Sequence, residues 1–233
     1  MPKDDIFVRE MLGNVMHDLK TPLTAVRGYA QGILDGVANT PERLNKYAVT
    51  IRNKAEDMSN LVDDISFFSR IYQQDNNYDF QLVNVCEYMS ECISGRALDL
   101  ETRKISLLYQ FQAKPDSMFR IDSERLKRVI YNIIDNSSKY IHTEIGILYV
   151  QVSETDEKII IRISDNGQGI EKKELSKIFE RFYRTDRSRN STTGGSGIGL
   201  SVAKKIIEDH NGSIWADSEI GEGTTISLEL PKS

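Results

Sequence analysis

A histidine followed by an acidic residue lies on the polar side of a long helical pattern. His17 stands two residues after Val15 and two before Leu19, and both of these belong to an apolar stripe with three- and four-residue steps. Because two residues turn a helix by about 200°, the imidazole of His17 is expected to point away from the stripe. Asp18 can take a proton from one ring nitrogen and make the other a nucleophile. The pattern therefore predicts a nucleophilic histidine, against the alternative of a surface histidine without a task.

One helical turn further, the chain carries a hydroxyl group and a proline. The hydroxyl of Thr21 could hold a water molecule. Pro22 has no N–H to donate to the helical ladder, so we expect the helix to bend or loosen there. A bend beside a nucleophile would serve as a hinge.

Four polar side chains recur at three- and four-residue steps on a later helix, so they share one face. They are Asn132, Asn136, Lys139 and Tyr140. Amide oxygens suit Mg²⁺, which takes few protein ligands beside phosphates and waters, and we expect Asn136 to hold it. Lys139 offers a point charge for a phosphate, and Tyr140 offers a ring that can stack near a base. The alternative, a plain solvent face, does not explain amides recurring opposite an apolar side.

A carboxylate and two glycines follow a predicted strand. Asp165 at the strand end could accept a hydrogen bond from the exocyclic amine of adenine. Gly167 and Gly169 would allow the backbone to come close to such a ligand. The same residues are also common in turns, so by themselves they leave an ordinary turn open.

A glycine-rich loop precedes the last predicted helix. Its residues 194–200 offer backbone N–H groups to a phosphate at the helix N-terminus. The spacing is neither a P-loop, which needs Gly-Lys-Ser/Thr, nor a Rossmann fingerprint directly after a strand. The polar stretch 181–193 before it is expected to close as a lid over a triphosphate. Candidates for phosphate contact, unless they form only a solvated charge run, are Arg184, Arg187 and Arg189.

The predicted nucleophile belongs to a pattern of two long helices. Apolar residues step by three and four over 8–37 and again over 44–68. Between them Thr40 suits an N-cap and Pro41 suits the first helical position. Two such helices joined by a short loop form an antiparallel hairpin. One hairpin cannot cover both sides of these stripes, so we expect a second copy to complete a four-helix bundle, which makes the protein a homodimer.

Past residue 72 the period of the apolar residues changes. A polar stretch indicates a linker, which we place at 73–82 between a helical domain (1–72) and a second domain (83–233). A mostly antiparallel sheet with helices on one face is expected there, which makes the fold class α+β with an α/β sandwich. Helices are predicted over 85–101, 123–138 and 197–210, and strands over 105–111, 147–152, 159–163, 213–216 and 224–230.

Composition narrows the function classes. Of the 233 residues, 39% are hydrophobic and 28% are charged, an ordinary globular balance, and the formal net charge is -5. A negative chain gives no reason to expect a nucleic-acid partner. Cys86 and Cys92 cannot pair on one helix, which favours two reduced cysteines. No apolar run would cross a bilayer, so we expect a cytoplasmic chain, one that could be the cytoplasmic part of a membrane-bound receptor.

The residues His-Asp-Leu-Lys-Thr-Pro-Leu-Thr at 17–24 resemble the H box of sensor histidine kinases. The resemblance implies that His17 takes the γ-phosphoryl group of ATP, that Asp18 acts as base, and that Thr21 helps to position water when a phosphorylated regulator is dephosphorylated. It also implies that the phosphoryl group passes to an aspartate of a response regulator, which docks near His17. Asp18 and Lys20 stand where many members carry Glu and Arg, and both changes keep the charge.

Four later motifs, at residues 132–140, 165–170, 178–183 and 194–200, resemble the N box, first glycine box, F box and second glycine box of the same family, in the family's order. Residues 221–225 resemble its last glycine motif. They imply the ATP-binding fold shared with gyrase-type ATPases, with ATP and Mg²⁺ as ligands. Residues 141–146 depart from the family's usual Pro/Gly-rich turn, and His142 is interpreted there as an exposed loop residue. The residues expected to bind the nucleotide are Asn132, Asn136, Lys139, Tyr140, Asp165, Gly167, Gly169, Ile170, Phe182, Arg184, Gly195, Gly197, Ile198, Gly199, Leu200 and Thr225.

Two other function classes remain open at this point. An ATP-binding scaffold would signal without catalysis, but such proteins tend to lose the histidine, the acid and the glycines that are intact here. A gyrase-like ATPase would clamp DNA, which neither the histidine-bearing hairpin nor the negative charge favours. Labelled ATP separates the three classes, because only a kinase would place an acid-labile, base-stable label on His17.

Overall fold

The structure is a computed structural model that describes residues 3–71, 77–185 and 197–233. Within the first range it describes the backbone alone for 3–12, 14 and 17. The chain forms a two-helix hairpin followed by a mixed α/β domain, which confirms the expected fold class.

The hairpin consists of α1 (Lys3–Leu34) and α2 (Pro41–Ile71). The amide of Arg43 donates to Oγ1 of Thr40 at 3.3 Å, so Thr40 caps α2 as predicted. Pro22 lies inside α1, where it removes one hydrogen bond of the helical ladder. None of the helices in the described ranges carries an apolar stretch that would span a bilayer.

Several apolar side chains of the hairpin stripes face solvent in the single chain. Leu23 is 47% exposed, Leu44 is 46% exposed and Val62 is 49% exposed. Each belongs to the three- and four-residue pattern that predicted the helices. One hairpin therefore covers only part of its own apolar surface, as expected from the sequence.

The second domain is built on a five-stranded sheet whose spatial strand order differs from the order in sequence. β2 (Ile105–Phe111) runs parallel to β4 (Gly146–Glu154). β5 (Lys158–Asp165), β7 (Gly223–Pro231) and β6 (Ser213–Glu219) continue the sheet antiparallel. The sheet is therefore predominantly antiparallel, with one parallel pair at its edge.

The helices α3 (Val85–Thr102), α4 (Ser123–Tyr140) and α6 (Gly199–Asp209) pack on this sheet, and the short α5 (Lys172–Leu175) packs near β6. Alternate residues of the central strands are fully buried beneath the helices, which is the period that predicted the strands. These residues are Leu148, Val150 and Val152 in β4 and Ile159, Ile161 and Ile163 in β5.

Two short strands were absent from the sequence prediction. β1 (Gln81–Asn84) pairs antiparallel with β3 (Met118–Ile121), so β1 begins inside the predicted linker at 73–82. Four residues are too few for an alternation to stand out from a loop, and only pairing across the fold makes them strands. The last helix begins at Gly199, later than predicted, because the φ of Gly197 is +64° and lies outside the helical region.

The end of α2 packs against the second domain. Phe68 is 3% exposed, and its ring centroid lies 5.8 Å from that of Phe182. Ile71 is 2% exposed in the same apolar cluster. The hairpin and the sheet domain therefore share part of one core.

Candidate functional site

A cavity of about 190 Å³ opens between α4, the end of β5 and the start of α6. Segments that are far apart in sequence meet in its wall, including residues from both glycine-containing regions. The predicted site residues that line the cavity are Asn132, Asn136, Lys139, Tyr140, Asp165, Gly169, Ile170, Arg184, Gly197, Gly199 and Leu200.

Asp165 is held at the cavity wall by the neighbouring backbone. Its Oδ1 accepts hydrogen bonds from the amide of Gly167 at 2.9 Å and from the amide of Thr224 at 3.3 Å. Burial raises the pKa of the Asp165 carboxyl, while the hydrogen bonds from Gly167, Ser137 and Thr224 act in the opposite direction. This geometry fixes an acceptor that can receive an N–H group of a ligand.

Two amides of α4 are linked at the opposite part of the wall. Nδ2 of Asn136 donates to Oδ1 of Asn132 at 3.4 Å. The side-chain oxygen of Asn136 itself is therefore the atom that this residue can offer to a cation. Nδ2 of Asn132 is buried and has no hydrogen-bond partner in the described part of the chain. A buried donor without a partner is costly, so these amides fit a site that is completed by a polar ligand.

The amide side chains of α4 suit Mg²⁺ better than a metal ion that is coordinated by protein ligands alone. In the described ranges no group of three or more His, Cys, Asp and Glu side chains could hold a metal ion. The amide oxygen of Asn136 in the cavity wall agrees with the preference of Mg²⁺ for few protein ligands plus phosphates.

Glycines allow the close contacts that form the cavity. Gly169 has a φ of +72°, and a Cβ on it would collide with the carbonyl oxygen of Glu219. A Cβ on Gly199 would collide with Oδ1 of Asn132. These positions therefore need glycine partly because of packing within the protein. The sequence had suggested another reason, the close approach of a ligand.

Two predicted residues at the strand ends lie beside the cavity but do not line it. Gly167 contributes through its amide, which holds Asp165. Oγ1 of Thr225 lies 2.8 Å from Oγ of Ser164, and its neighbour Thr224 lines the cavity instead. Neighbouring residues on a strand point to opposite faces, so Thr224 faces the cavity and Thr225, the residue predicted from the sequence, does not.

Phe182 and Ile198 also lie outside the cavity wall. Phe182 has a φ of +60° and packs its ring near Phe68 at the end of α2. Ile198 is 1% exposed and belongs to the apolar core beneath the start of α6. Both residues support the walls of the cavity and do not line it.

Several lining residues were missed by sequence reasoning. Asp64 comes from α2, and nothing in its helical pattern distinguishes it from other exposed carboxylates. Tyr183 was included in the F box without a role, and its hydroxyl donates to Oε1 of Glu174 at 3.3 Å. The other missed lining residues are Ile133, Ser137, Gln168, Glu171, Glu174, Ile178, Thr185, Thr224 and Ile226.

Some predicted features fall outside what the structure describes. These are Gly195, the lid arginines Arg187 and Arg189, and the side chain of His17. The backbone of His17 lies within α1.

The residue next to His17 reaches the edge of the cavity. A carboxylate oxygen of Asp18 lies 3.9 Å from Nη1 of Arg184, and Arg184 lines the cavity. Thr21 is exposed one turn further along α1. The fold therefore brings the predicted base and the wall of the predicted nucleotide pocket together, although a long stretch of chain separates them.

Two family models match the two parts of the chain in order. Residues 7–74 match the His Kinase A (phospho-acceptor) domain. Residues 121–233 match the histidine kinase-, DNA gyrase B- and HSP90-like ATPase. The chain has the two-domain core of a sensor histidine kinase. The first match covers the hairpin that carries His17, and the second covers most of the cavity wall.

Curated histidine kinases resemble the chain along almost its full length. The sensor histidine kinase WalK of Bacillus subtilis is 33% identical over 224 residues, which are 96% of this chain and 36% of WalK. A WalK of Staphylococcus aureus is 31% identical over 96% of this chain and 53% of that protein. The chain therefore spans between a third and about half of the length of these two relatives.

Solved histidine kinase structures share the fold. The Acinetobacter baumannii histidine kinase AdeS has a TM-score of 0.71 at 24% identity and covers 92% of this chain and 97% of its own. Histidine kinase ThkA, solved in complex with the response regulator protein TrrA, has a TM-score of 0.77 at 24% identity over 96% of this chain and 61% of that one. At this identity the likeness concerns the arrangement of hairpin and sheet domain.

Proposed function

We propose that this chain is a kinase core that transfers the γ-phosphoryl group of ATP to His17 and then to an aspartate of a response regulator. The hairpin (1–72) would carry the acceptor and the second domain (83–233) the nucleotide. The observation that carries the proposal is the 3.9 Å approach of Asp18 to Arg184, since it links the phosphoacceptor helix to the cavity wall.

In the proposed reaction a ring nitrogen of His17 forms a bond to the γ-phosphorus, the bond from that phosphorus to the bridging oxygen breaks, and ADP leaves. Asp18 accepts the proton of the other ring nitrogen, which keeps the attacking nitrogen nucleophilic. The guanidinium of Arg184 borders both the cavity and Asp18. It can therefore attract the negatively charged phosphates of ATP toward α1.

The cavity offers matching groups for the adenine and the phosphates of ATP. Asp165 can accept the adenine amine, and Tyr140 can stack near the base. Lys139 and the N-terminus of α6 at Gly199 suit phosphates. Asn136 would hold Mg²⁺, which when bound neutralises phosphate charge.

The proposal includes a homodimer. Leu23, Leu44 and Val62 are each nearly half exposed on one hairpin, although their spacing is that of a buried stripe. A second hairpin would bury them and form a four-helix bundle. An exposed patch of this kind on a helical pair is typical of a self-association surface.

The proposal also includes the downstream partner and the cellular place. A response regulator receiver domain would dock on the hairpin near His17, and the solved complex of ThkA with TrrA gives this part its support. Thr21 would help to position water for dephosphorylation of that regulator. We place the core in the cytoplasm, where ATP is supplied, and consider it part of a membrane-bound receptor by family resemblance.

Incubation with γ-³²P-labelled ATP tests the proposal. The wild-type chain should acquire an acid-labile, base-stable label, and His17→Gln should acquire none. His142→Gln is the matched control, because His142 is an exposed histidine that does not line the cavity, and it should label normally. Turnover of ATP without protein label would indicate an ATPase instead, and nucleotide binding without turnover or label would indicate a scaffold.

A further inference from the structure

The helical hairpin contributes a carboxylate to the nucleotide cavity. Asp64 of α2 lines the main cavity and also a smaller cavity next to it. Asn132 and Gly199 line both cavities as well, so Asp64 lies at the end of the site formed by the amides and the start of α6. This is the end that suits the phosphates of a nucleotide.

Arg128 of α4 holds Asp64 in this place. Nη2 of Arg128 donates to Oδ1 of Asp64 at 2.8 Å, and the two side chains are 34% and 39% exposed. The guanidinium carbon of Arg128 also lies 3.8 Å from the ring centroid of Phe67, one turn along α2. A single arginine therefore fastens α2 to α4 by a charged hydrogen bond and a cation–π contact.

The contact between Asp64 and Arg128 has two effects, one on hairpin docking and one on nucleotide binding, and they oppose each other. The pair stabilises the docking of the hairpin on the second domain. It also fixes a negative group beside the place where the triphosphate must bind, and like charges at close range repel. The repulsion should grow with the number of phosphates on the ligand.

We propose that the Asp64–Arg128 pair is an autoinhibitory contact, through which hairpin docking and binding of a nucleoside triphosphate weaken one another. The inference rests on the proposed function only in taking ATP as the ligand of the cavity. Because coupling between two equilibria is reciprocal, ATP should loosen the hairpin by the same factor by which docking lowers ATP affinity.

Nucleotide titration of the full chain in the His17→Gln background tests the first half, since no phosphoryl transfer is then needed. Asp64→Asn keeps the shape and removes the charge, and it should bind ATP with Mg²⁺ about 5- to 20-fold more tightly. The gain should be smaller for ADP and absent for adenosine. Asp63→Asn is the matched control, because Asp63 is an exposed carboxylate on the same helix and its affinity for ATP should not change.

Hydrogen–deuterium exchange of the amides in α2 tests the second half. Saturating ATP should increase exchange near residues 61–71 in the His17→Gln chain. Arg128→Gln should show the increase before nucleotide is added. An unchanged ATP affinity in Asp64→Asn would overturn the proposal. A weaker affinity that depends on Mg²⁺ would also overturn it, because Asp64 would then be a metal ligand. A chain that fails to label His17 but shows the predicted affinities would leave this inference standing and refute the kinase.

Discussion

Nη1 of Arg184 lies 3.9 Å from a carboxylate oxygen of Asp18, and both side chains are only partly exposed, at 20% and 24%. Arg184 belongs to the wall of the cavity, and Asp18 follows His17, the proposed phosphoacceptor, on α1. This ion pair is a direct contact between the two proposed halves of the active site.

Replacing Arg184 should impair phosphoryl transfer more than nucleotide binding. Arg184→Ala removes the guanidinium that links the cavity to α1, so we expect the initial rate of His17 labelling at saturating ATP to fall about 10- to 100-fold. Arg184→Lys should recover only part of the rate, since an ammonium lacks the planar fork of a guanidinium. Lys177→Ala removes an exposed cation that does not line the cavity and serves as the control. A full labelling rate in Arg184→Ala would show that the ion pair has no role in transfer.

Replacing Asp165 with Asn should weaken ATP binding while the hydrogen bonds to the backbone are kept. Asn retains an Oδ1 that can accept the amides of Gly167 and Thr224. It cannot present a carboxylate to the adenine amine, so we expect Asp165→Asn to bind ATP at least about tenfold more weakly by calorimetry.

The stability of Asp165→Asn should depend on pH with a defined sign. Burial raises the pKa of Asp165 above its ordinary value of 3.8. The folded protein is therefore destabilised as the pH rises and Asp165 ionises, whereas at a pH well below 3.8 the protonated carboxyl has no such cost. The difference in Tm between Asp165→Asn and the wild type should therefore be more favourable to Asn at pH 7 than at pH 4. A difference that moves the other way would mean that the hydrogen bonds outweigh burial.

His210 should make the sheet domain less stable in acid. Nε2 of His210 accepts the amide of Asp122 at 3.0 Å, so Nδ1 carries the proton and donates to the carbonyl of Ile206 at 2.7 Å. Burial lowers the pKa of His210 below 6.5, with Arg125 acting in the same direction and Ile206, Asp122 and Asp209 opposing. The unfolded chain therefore binds this proton more readily, and stability is lost as the pH falls through 6.5.

Chemical denaturation at several pH values measures this effect. Between pH 7 and pH 5 the free energy of unfolding of the wild type should fall by up to about 1.4 kcal/mol per pH unit from this residue. His210→Gln keeps an acceptor for Asp122 without a titrating ring, and its pH dependence should be shallower. Equal slopes in the two proteins would exclude His210 as the source.

A charge placed in the exposed hairpin stripe should prevent dimerisation. Leu23→Arg puts a guanidinium on the surface that a second hairpin would bury, and we expect sedimentation to show a monomer where the wild type is a dimer. Leu98→Arg is the matched control on α3, because Leu98 is 74% exposed outside the hairpin, and that variant should remain dimeric. A dimeric Leu23→Arg would place the interface elsewhere.

The elements with a clear period were predictable from the sequence, and the irregular ones were not. The helix beginning at Ser123 and the strand Ile105–Phe111 begin where the patterns indicated. Strand β1 has four residues, and its pairing with β3 is a long-range contact that leaves no local period. The position of Thr224 in the cavity and of Thr225 outside it depends on the side chain face in β7, which motif matching does not resolve.

By itself the sequence determined the helical hairpin, most of the sheet and helices of the second domain, the family, and most of the residue types in the cavity wall. These follow from local periods and short motifs, which depend on neighbours along the chain. Only the tertiary structure decided that Asp18 meets Arg184 and that Asp64 enters the cavity wall. Both contacts depend on how the hairpin packs against the second domain through residues such as Phe68 and Phe182, and this packing is set by the fit of two distant surfaces.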